Sequence, residues 1–494
     1  MMPDAPAGAS VTLKGRTTMK NTIWYGRLAF VERRLVQGGS QYLSLSRPLA
    51  WFSMGIVALM LLVALAACGG GSSSSGGNGP VNLTYALWDQ NEQVGYQQSI
   101  NQFMKLHPNI HVTIEQTPWA SYWQKLSTEF AAGNAPDVFW DHLAYFPQFV
   151  QQGQLMNLSP LIQQNKIDMS QYYPALVKEW TYQGNVYGLP KDWDTIAILY
   201  NKQIFQQAGL PAPTSMTWNP TDGGTFLQLA EKLTVDQNGK HPTDPGFDAS
   251  HIKQYGFVSE NNAQEGFWNF IAMNGGQLLD KQFGQNFLLN QPPAQQAMQF
   301  LVDLINKYHV SPSATETNNN GGVAEQLFEG GKVAMIAAGS WELNPVSQQT
   351  KIPWGVVQLP AGPNGVVSVF NGLTDAIYAK TAHPQEAWEL EQWLASPQSE
   401  HIMGSGGYVW PAIQNEDQSF VQFWQGKGID VSPYLKEAQG TTILFPITFG
   451  YNEASTDINN VFNQMYLGQI AVPQATNQAV QQANQAVQSA SAGS

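Results

Sequence analysis

Val81-Asn82-Leu83-Thr84-Tyr85-Ala86-Leu87 alternates apolar and polar side chains as a half-buried strand does, and the next sixty residues decide the sheet it joins. Tyr96, Ile100 and Phe103 recur at helical spacing with Met104 beside them, and Pro108 stops that helix. Ile110, Val112 and Ile114 then alternate again. A second helix is expected over 121–132, and Asn134-Ala135-Pro136 leads into the short strand Asp137-Val138-Phe139-Trp140. Strand–helix–strand repeats of this kind build a parallel sheet covered by helices, an α/β fold. Sites in such sheets lie at the carboxyl ends of the strands. That rule places Trp88 to Glu92, Trp119, and Trp140 to His142 around one crevice, with Asp89 and Asp141 among them. Asp137, which follows a proline at a strand start, is expected to be structural.

Further along, the stretch from Tyr187 to Lys202 begins a new unit. A helix over 202–207 ends at Gly209 with Pro211 behind it, which is helix-stop chemistry. More helices are expected over 225–233, 266–272 and 294–308, and a buried strand over 333–338 runs into Gly339-Ser340-Trp341. A Gln/Ala-rich closing helix covers 473–490. At 494 residues the chain is long enough for two good cores. Cys68 is its only cysteine, so no internal disulfide can form and stability must come from packing.

Seven of the 23 basic and two of the 36 acidic side chains precede Cys68, leaving sixteen against thirty-four and a net charge of −18 beyond it. No arginine lies beyond Cys68. Arginine is the usual bidentate partner of carboxylate and phosphate, so an anionic ligand is disfavoured, although helix N-termini can substitute. An acidic chain of this kind also argues against nucleic acid. Fourteen of the 16 tryptophans lie beyond Cys68. Each ring offers roughly 150–250 Å² of apolar face and an N–H donor, which suits a sugar, with C–H groups on its face and hydroxyls around its rim. Burial in a core is the competing role for every one of these rings.

Upstream, Pro48 to Ala67 is a run of twenty uncharged residues behind Arg47, ending Leu65-Ala66-Ala67-Cys68-Gly69. This resembles a bacterial lipobox, where a signal peptide is cut before the cysteine and the thiol takes lipid; an uncleaved membrane span is the alternative. A Gly/Ser tether comes next, with too little apolar surface to fold. The expected layout is a basic extension at 1–47, a signal h-region and lipobox at 48–67, and a lipidated cysteine with its tether at 68–80. Met19 and Met54 are alternative starts. The mature protein is expected on the extracytoplasmic face of the cell membrane, held by lipid on Cys68.

From Val81 to about Gln485 the chain resembles family 1 of the extracellular solute-binding proteins of ABC importers, which includes maltose- and multiple-sugar-binding lipoproteins. The matching pieces are Phe103-Met104-Lys105-Leu106-His107-Pro108, Ala131-Ala132-Gly133-Asn134-Ala135-Pro136-Asp137-Val138, Tyr187-Gly188-Leu189-Pro190 and Leu199-Tyr200-Asn201-Lys202. Gly331-Lys332-Val333-Ala334-Met335-Ile336, Gly339-Ser340-Trp341, Leu359-Pro360 and His383-Pro384-Gln385-Glu386-Ala387-Trp388 continue the series in order. Each piece alone is weak; their order across the chain carries the match.

The resemblance implies a two-lobed periplasmic-binding-protein-like fold of type II, each lobe a sheet flanked by helices, joined by a multi-segment hinge. Its lobes would hold 81–193 plus 361–405 and 194–360 plus 406–494, with crossings near 193–196, 359–362 and 407–411. It also implies a ligand cleft at Trp88, Asp89, Trp119, Trp140, Asp141, Trp193, Asp194, Trp268, Trp341, Gly372, Trp410 and Tyr451, with Trp341 as the ring-stacking residue. The expected ligand is a neutral mono- or oligosaccharide, delivered to the transmembrane subunits of an ABC permease by a monomer. No cofactor, metal or catalytic residue is expected.

Two rivals remain at this level. A cationic solute such as a polyamine would suit the carboxylate-plus-tryptophan pairs through cation–π contact. A secreted glycoside-active enzyme would also be acidic and aromatic, and needs two carboxylates at a defined separation. Asp236-Gln237-Asn238-Gly239-Lys240 hints at a calcium loop, but its spacing departs from the EF-hand and an ordinary turn is expected.

Overall fold

The computed structural model describes residues 79–318 and 322–492; the basic stretch, the apolar run and Cys68 lie outside the described residues. Ten strands form two main sheets, numbered in chain order: β1 (Val81–Leu87), β2 (Ile110–Gln116), β3 (Val138–Asp141), β4 (Leu189–Pro190) and β5 (Ile196–Asn201), then β6 (Val235–Asp236), β7 (Ile252–Phe257), β8 (Val333–Gly339), β9 (Trp354–Val357) and β10 (Thr374–Ile377). The first sheet has the order β2-β1-β3-β10-β4, the second β9-β5-β8-β7-β6.

In β1, Leu83, Tyr85 and Leu87 turn into the core while Asn82 faces solvent. The strand runs parallel to β2 in unbroken register from Val81 opposite Ile110 to Leu87 opposite Gln116, and parallel to β3 on its other side. Helix α1 (Gln90–Leu106) starts where the Asp89 carboxylate accepts the Asn91 and Glu92 N–H groups at 2.7 and 2.9 Å, a cap worth about 1 kcal/mol. Its stripe of Tyr96, Ile100 and Phe103 is buried against the sheet. Helix α2 (Trp119–Ala132) stops at Gly133, whose φ of 74° favours a residue without a Cβ. Asp137 is a strut: its Oδ2 accepts the Thr84 N–H at 2.8 Å and its Oδ1 the Thr381 hydroxyl.

The parallel arrangement expected from the first strand–helix–strand repeats is present, with β1 running parallel to both β2 and β3. In the second sheet β7 is parallel to β8, and the remaining pairs of the two main sheets are antiparallel. β10 enters the first sheet antiparallel between β3 and β4, because the chain reaches it on its return from the second sheet.

Three short segments join the sheets. Asp192–Trp193 pairs antiparallel with Trp410–Pro411, and Asp194 bridges Asn371. These pairings lie at or beside the stretches 193–196 and 407–411 expected as the first and third crossings. Around 359–362, Ala361 exchanges backbone hydrogen bonds with Met216 and Trp218, and Gly362 lies on Met273. This stretch packs within the second lobe, and the crossing comes some ten residues later at Asn371. The joint is aromatic: the Trp193 and Trp410 rings stack at 4.6 Å, and Trp410 lies 4.4 Å from Phe420. Among the described residues no helix is long and apolar enough to cross a membrane.

Candidate ligand-binding cleft

A cleft of about 850 Å³ opens between the lobes over these crossings. The first lobe contributes loops that leave the carboxyl ends of its strands. Trp88 follows β1, Trp119 follows β2, and His142 and Tyr145 follow β3. The rings form a herringbone: Trp88 meets Trp119 at 5.0 Å and Trp140 at 4.8 Å, both nearly perpendicular. Trp123 braces the group by stacking on Tyr145 at 3.7 Å. Trp119 keeps 45% of its surface exposed, so one face is free for a ligand. His142 is buried, which pushes its imidazole down to about 3 and keeps it neutral. Its Nδ1 accepts the Ala144 N–H at 3.1 Å, which leaves the ring proton on Nε2.

Across the gap, Trp341 follows the buried strand β8. Its ring lies flat over Gly339, where any Cβ would collide with three atoms of the indole. Glu265 fixes the same corner by accepting the Gly339 N–H at 2.8 Å. Glu342 accepts a hydrogen bond from the Trp341 side chain and sits at about 8, raised by burial and by Glu325. Trp268 and Tyr451 each meet Phe445, at 5.1 and 5.0 Å, and show the cleft little surface. One π-helical turn, Ala263–Phe267, starts the helix expected over 266–272 and turns Gln264 toward the crossings. Such turns are frequent at functional sites.

The floor is acidic. Asp194 accepts the Gln264 amide at 3.1 Å and the Asn371 amide at 3.0 Å. Burial, then Asp192, holds its carboxyl well above the usual range. Asp192 accepts the Leu373 N–H at 2.8 Å and lies 3.4 Å from the Lys191 ammonium. That lysine is buried, donates to the Tyr96 hydroxyl at 2.6 Å and sits 3.7 Å over the Trp140 ring. Glu92 borders the cleft one helical turn beyond Asp89.

Of the twelve residues the sequence proposed, Trp88, Asp89, Trp119, Trp193, Asp194, Trp268, Trp341, Trp410 and Tyr451 line this cavity. Three do not. Trp140 and Asp141 are fully buried inside β3, with the Trp140 indole donating to the Tyr85 hydroxyl at 2.6 Å. They form the layer behind Trp88. Gly372 faces the Asp192 carbonyl and Leu176, so its missing side chain admits the crossing segment instead of a ligand. The crevice read from the strand ends already took in Glu92 and His142; sequence reasoning missed Tyr145, Gln264, Glu342, Asn371, Tyr408 and Phe445. Glu92 carries a further signal, three residues after a capping aspartate and so on the same end of the helix.

Glu265, Glu325 and Glu342 bring one carboxylate oxygen each within 4.8 Å of the others. Glu265 is already engaged by Gly339 and by the Asn262 amide at 2.8 Å. The calcium-like turn is likewise satisfied: Asp236 accepts the N–H groups of Asn238, Lys240 and Asp248.

A family model described as bacterial extracellular solute-binding protein matches residues 88–401, and the chain belongs to that family. The crystal structure of UspC from Mycobacterium tuberculosis is 32% identical, covers 82% of this chain and 100% of its own, and has a TM-score of 0.68. An ABC substrate-binding protein from Listeria monocytogenes, solved in complex with cycloalternan, is 22% identical over 82% of this chain and 98% of its own, with a TM-score of 0.72. The maltodextrin-binding protein of Bacillus subtilis is 25% identical over 308 residues, 60% of this chain and 65% of its own length. The architecture is that of two-domain sugar-binding proteins.

Proposed function

We propose that this chain captures a sugar or oligosaccharide in its interlobe cleft and delivers it to the transmembrane subunits of an ABC importer, tethered outside the membrane by lipid on Cys68. The observation that carries the reading is the pairing of indole faces with carboxylates on opposed walls of a cleft of about 850 Å³. Trp119 and Trp341 offer surface to C–H faces, and Asp89, Asp194 and Glu342 can accept hydroxyl protons. Closure of the lobes about the crossings at Trp193, Asn371 and Trp410 would enclose the ligand, a hinge motion. Relatives named for maltodextrin and galactooligosaccharide binding support a carbohydrate ligand. The absence of arginine beyond Cys68 argues against an anionic one.

A second reading, a polyamine, is favoured by one observation: among the described residues no lysine or arginine lines the cleft. A thermal-shift screen of sugars, polyamines, phosphate, sulfate and amino acids separates the two. A ligand at 100 times its dissociation constant should add about 2.7 kcal/mol of stability. Carbohydrate hits with a tryptophan fluorescence change support the sugar reading. A response to polyamines or anions alone would discard it.

A further inference from the structure

The two ends of the cleft are built differently. The strand Thr441–Leu444 pairs in parallel with Val367–Phe370, Leu444 opposite Phe370, so Phe445 comes to stand beside the crossing residue Asn371. From there residues 445–451 of the second lobe run along the turn 142–146 of the first. Phe445 meets the His142 ring edge-on at 5.0 Å, with Tyr451 behind it at 5.0 Å. Further out, Tyr182 of the first lobe lies 4.8 Å from Phe283 and 5.7 Å from Phe449 of the second. The inner edge of this seam is buried, and burial keeps His142 uncharged, so the imidazole packs as an apolar body. Trp119, with its free face, stands 5.3 Å from the same imidazole.

The opposite end is bordered by Glu92, Tyr408 and Glu342. Tyr408 is seated on helix α1, where Gly95 has no Cβ to displace it. Near this end the Asn344 amide of the second lobe donates to the Gly407 carbonyl. A sugar hydroxyl can accept from the one and donate to the other, so a passing chain can take over that contact. It cannot pass the aromatic seam without parting the rings and returning their apolar surface to water. We propose that the cleft holds a sugar chain by one end, its terminal ring on Trp119 against the His142–Phe445 seam and its remaining units running past Trp341 and out by Tyr408. The proposal rests on the sugar reading and deepens it: His142 and Phe445 exclude the interior of a longer chain and select its terminus.

The test places a bulky tag on one end of a sugar or the other. Linear trisaccharides of α-1,4-linked glucose, β-1,4-linked mannose and β-1,4-linked galactose are titrated calorimetrically into the detergent-solubilised full chain. Each is used plain, with 2-aminobenzamide on its reducing end, and with a benzylidene acetal on its non-reducing end. For the trisaccharide that binds most tightly, one tag should cost about thirtyfold or more in affinity and the other less than about threefold, because a clash discriminates and open solvent does not. Phe445→Ala removes the stop and should narrow the gap between the two tags by about tenfold. Equal tolerance of both tags would mean a cleft open at both ends, and rejection of both a pocket closed at both. Either result overturns the proposal and leaves the sugar reading standing. A gap that Phe445→Ala leaves unchanged would place the stop elsewhere and overturn the role of the seam. Failure of every plain trisaccharide to bind would overturn both readings. The comparison of tags on the unaltered protein decides the matter even where the variant fails to fold.

Discussion

The Phe283 ring of the second lobe packs against Tyr182 of the first, with ring centroids 4.8 Å apart, from a backbone held at a φ of +55°. Left-handed backbone costs an L-residue roughly 1–2 kcal/mol, and such strain persists where the surroundings over-determine it. Here the surroundings are Phe146 and Tyr182 on one lobe and Phe449 on the other, with the Phe283 N–H held by the Ile447 carbonyl at 2.7 Å. The contact ties the two lobes to each other at this rim. Phe283→Ala should weaken ligand binding about three- to tenfold, in line with an aromatic pair worth about 0.5–1.5 kcal/mol. Phe283→Gly should weaken it equally but melt higher than the alanine variant, since glycine relieves the strain. Calorimetry and denaturant melts read both, and equal melting of the two variants would remove strain from the account.

Trp341 stands on the cleft wall without being part of the core. Trp341→Ala should reduce affinity at least thirtyfold, about 2–4 kcal/mol by analogy with interface tryptophans, with little change in melting of the free protein. Gly339→Ala should do the same from beneath, because the new methyl displaces the indole. Titration beside a thermal melt separates this from a structural role: a collapse of stability would make Trp341 a core residue.

Trp193 and Trp410 line the same cleft yet are almost wholly buried. Their stack is the joint between the lobes, and Trp193 also donates to Asp417 at 3.1 Å. Replacing either by alanine should cost about 3–5 kcal/mol of stability, read as a lower denaturation midpoint in the absence of ligand. A midpoint within error of the parent would show that the joint does not depend on the stack.

Asp417 lies under that joint, accepting from Trp193 and Tyr173, and burial raises its carboxyl to about 6. The folded value lies above the unfolded one, so the folded state holds the proton more tightly. Its contribution to stability is complete below about pH 4 and is lost as pH rises through 6. Glu437, buried against the Leu359 N–H and raised to about 8, extends the loss upward. The free protein should therefore melt lower at pH 8 than at pH 5. Asp417→Asn should flatten the slope between pH 4 and 6, and an unchanged slope in calorimetric melts would exclude Asp417 as its source.

Lipidation is tested directly. Mass spectrometry of membrane fractions should find acyl chains on an N-terminal Cys68, and Cys68→Ser should release the protein into the soluble fraction. A mature N-terminus upstream of residue 68 would rule the anchor out.

Much of the first lobe could be read before any coordinates, because β1 and β2 alternate, Pro108 stops the first helix and Asn134-Ala135-Pro136 follows the second. Trp88, Asp89 and Trp119 then followed from the rule that sites gather beyond strand ends. The same rule misplaced Trp140 and Asp141, because β3 runs to Asp141 and is covered on both faces. A strand buried on both faces loses its alternation, so nothing in the sequence marks its end. The crossing at Asn371 was missed for a different reason: a two-residue bridge has no periodicity to detect. Gln264 and Asn371, whose amides hold Asp194, belong to segments distant in sequence that only the folded joint brings together.

The place of β10 has a consequence for how the molecule is made. Its strand fills the gap between β3 and β4, yet the chain supplies it only after the whole second sheet. Whether it leaves a ribosome or threads through a membrane, N-terminus first, the nascent first lobe carries an open slot with unpaired strand edges until residue 377 emerges. Closing such a long loop is slow, and open edges invite wrong pairing. The two lobes therefore cannot mature one after the other like beads on a string. The first to begin is completed only after the second sheet has been synthesised, so a truncation anywhere before β10 should yield an aggregating fragment instead of a folded half.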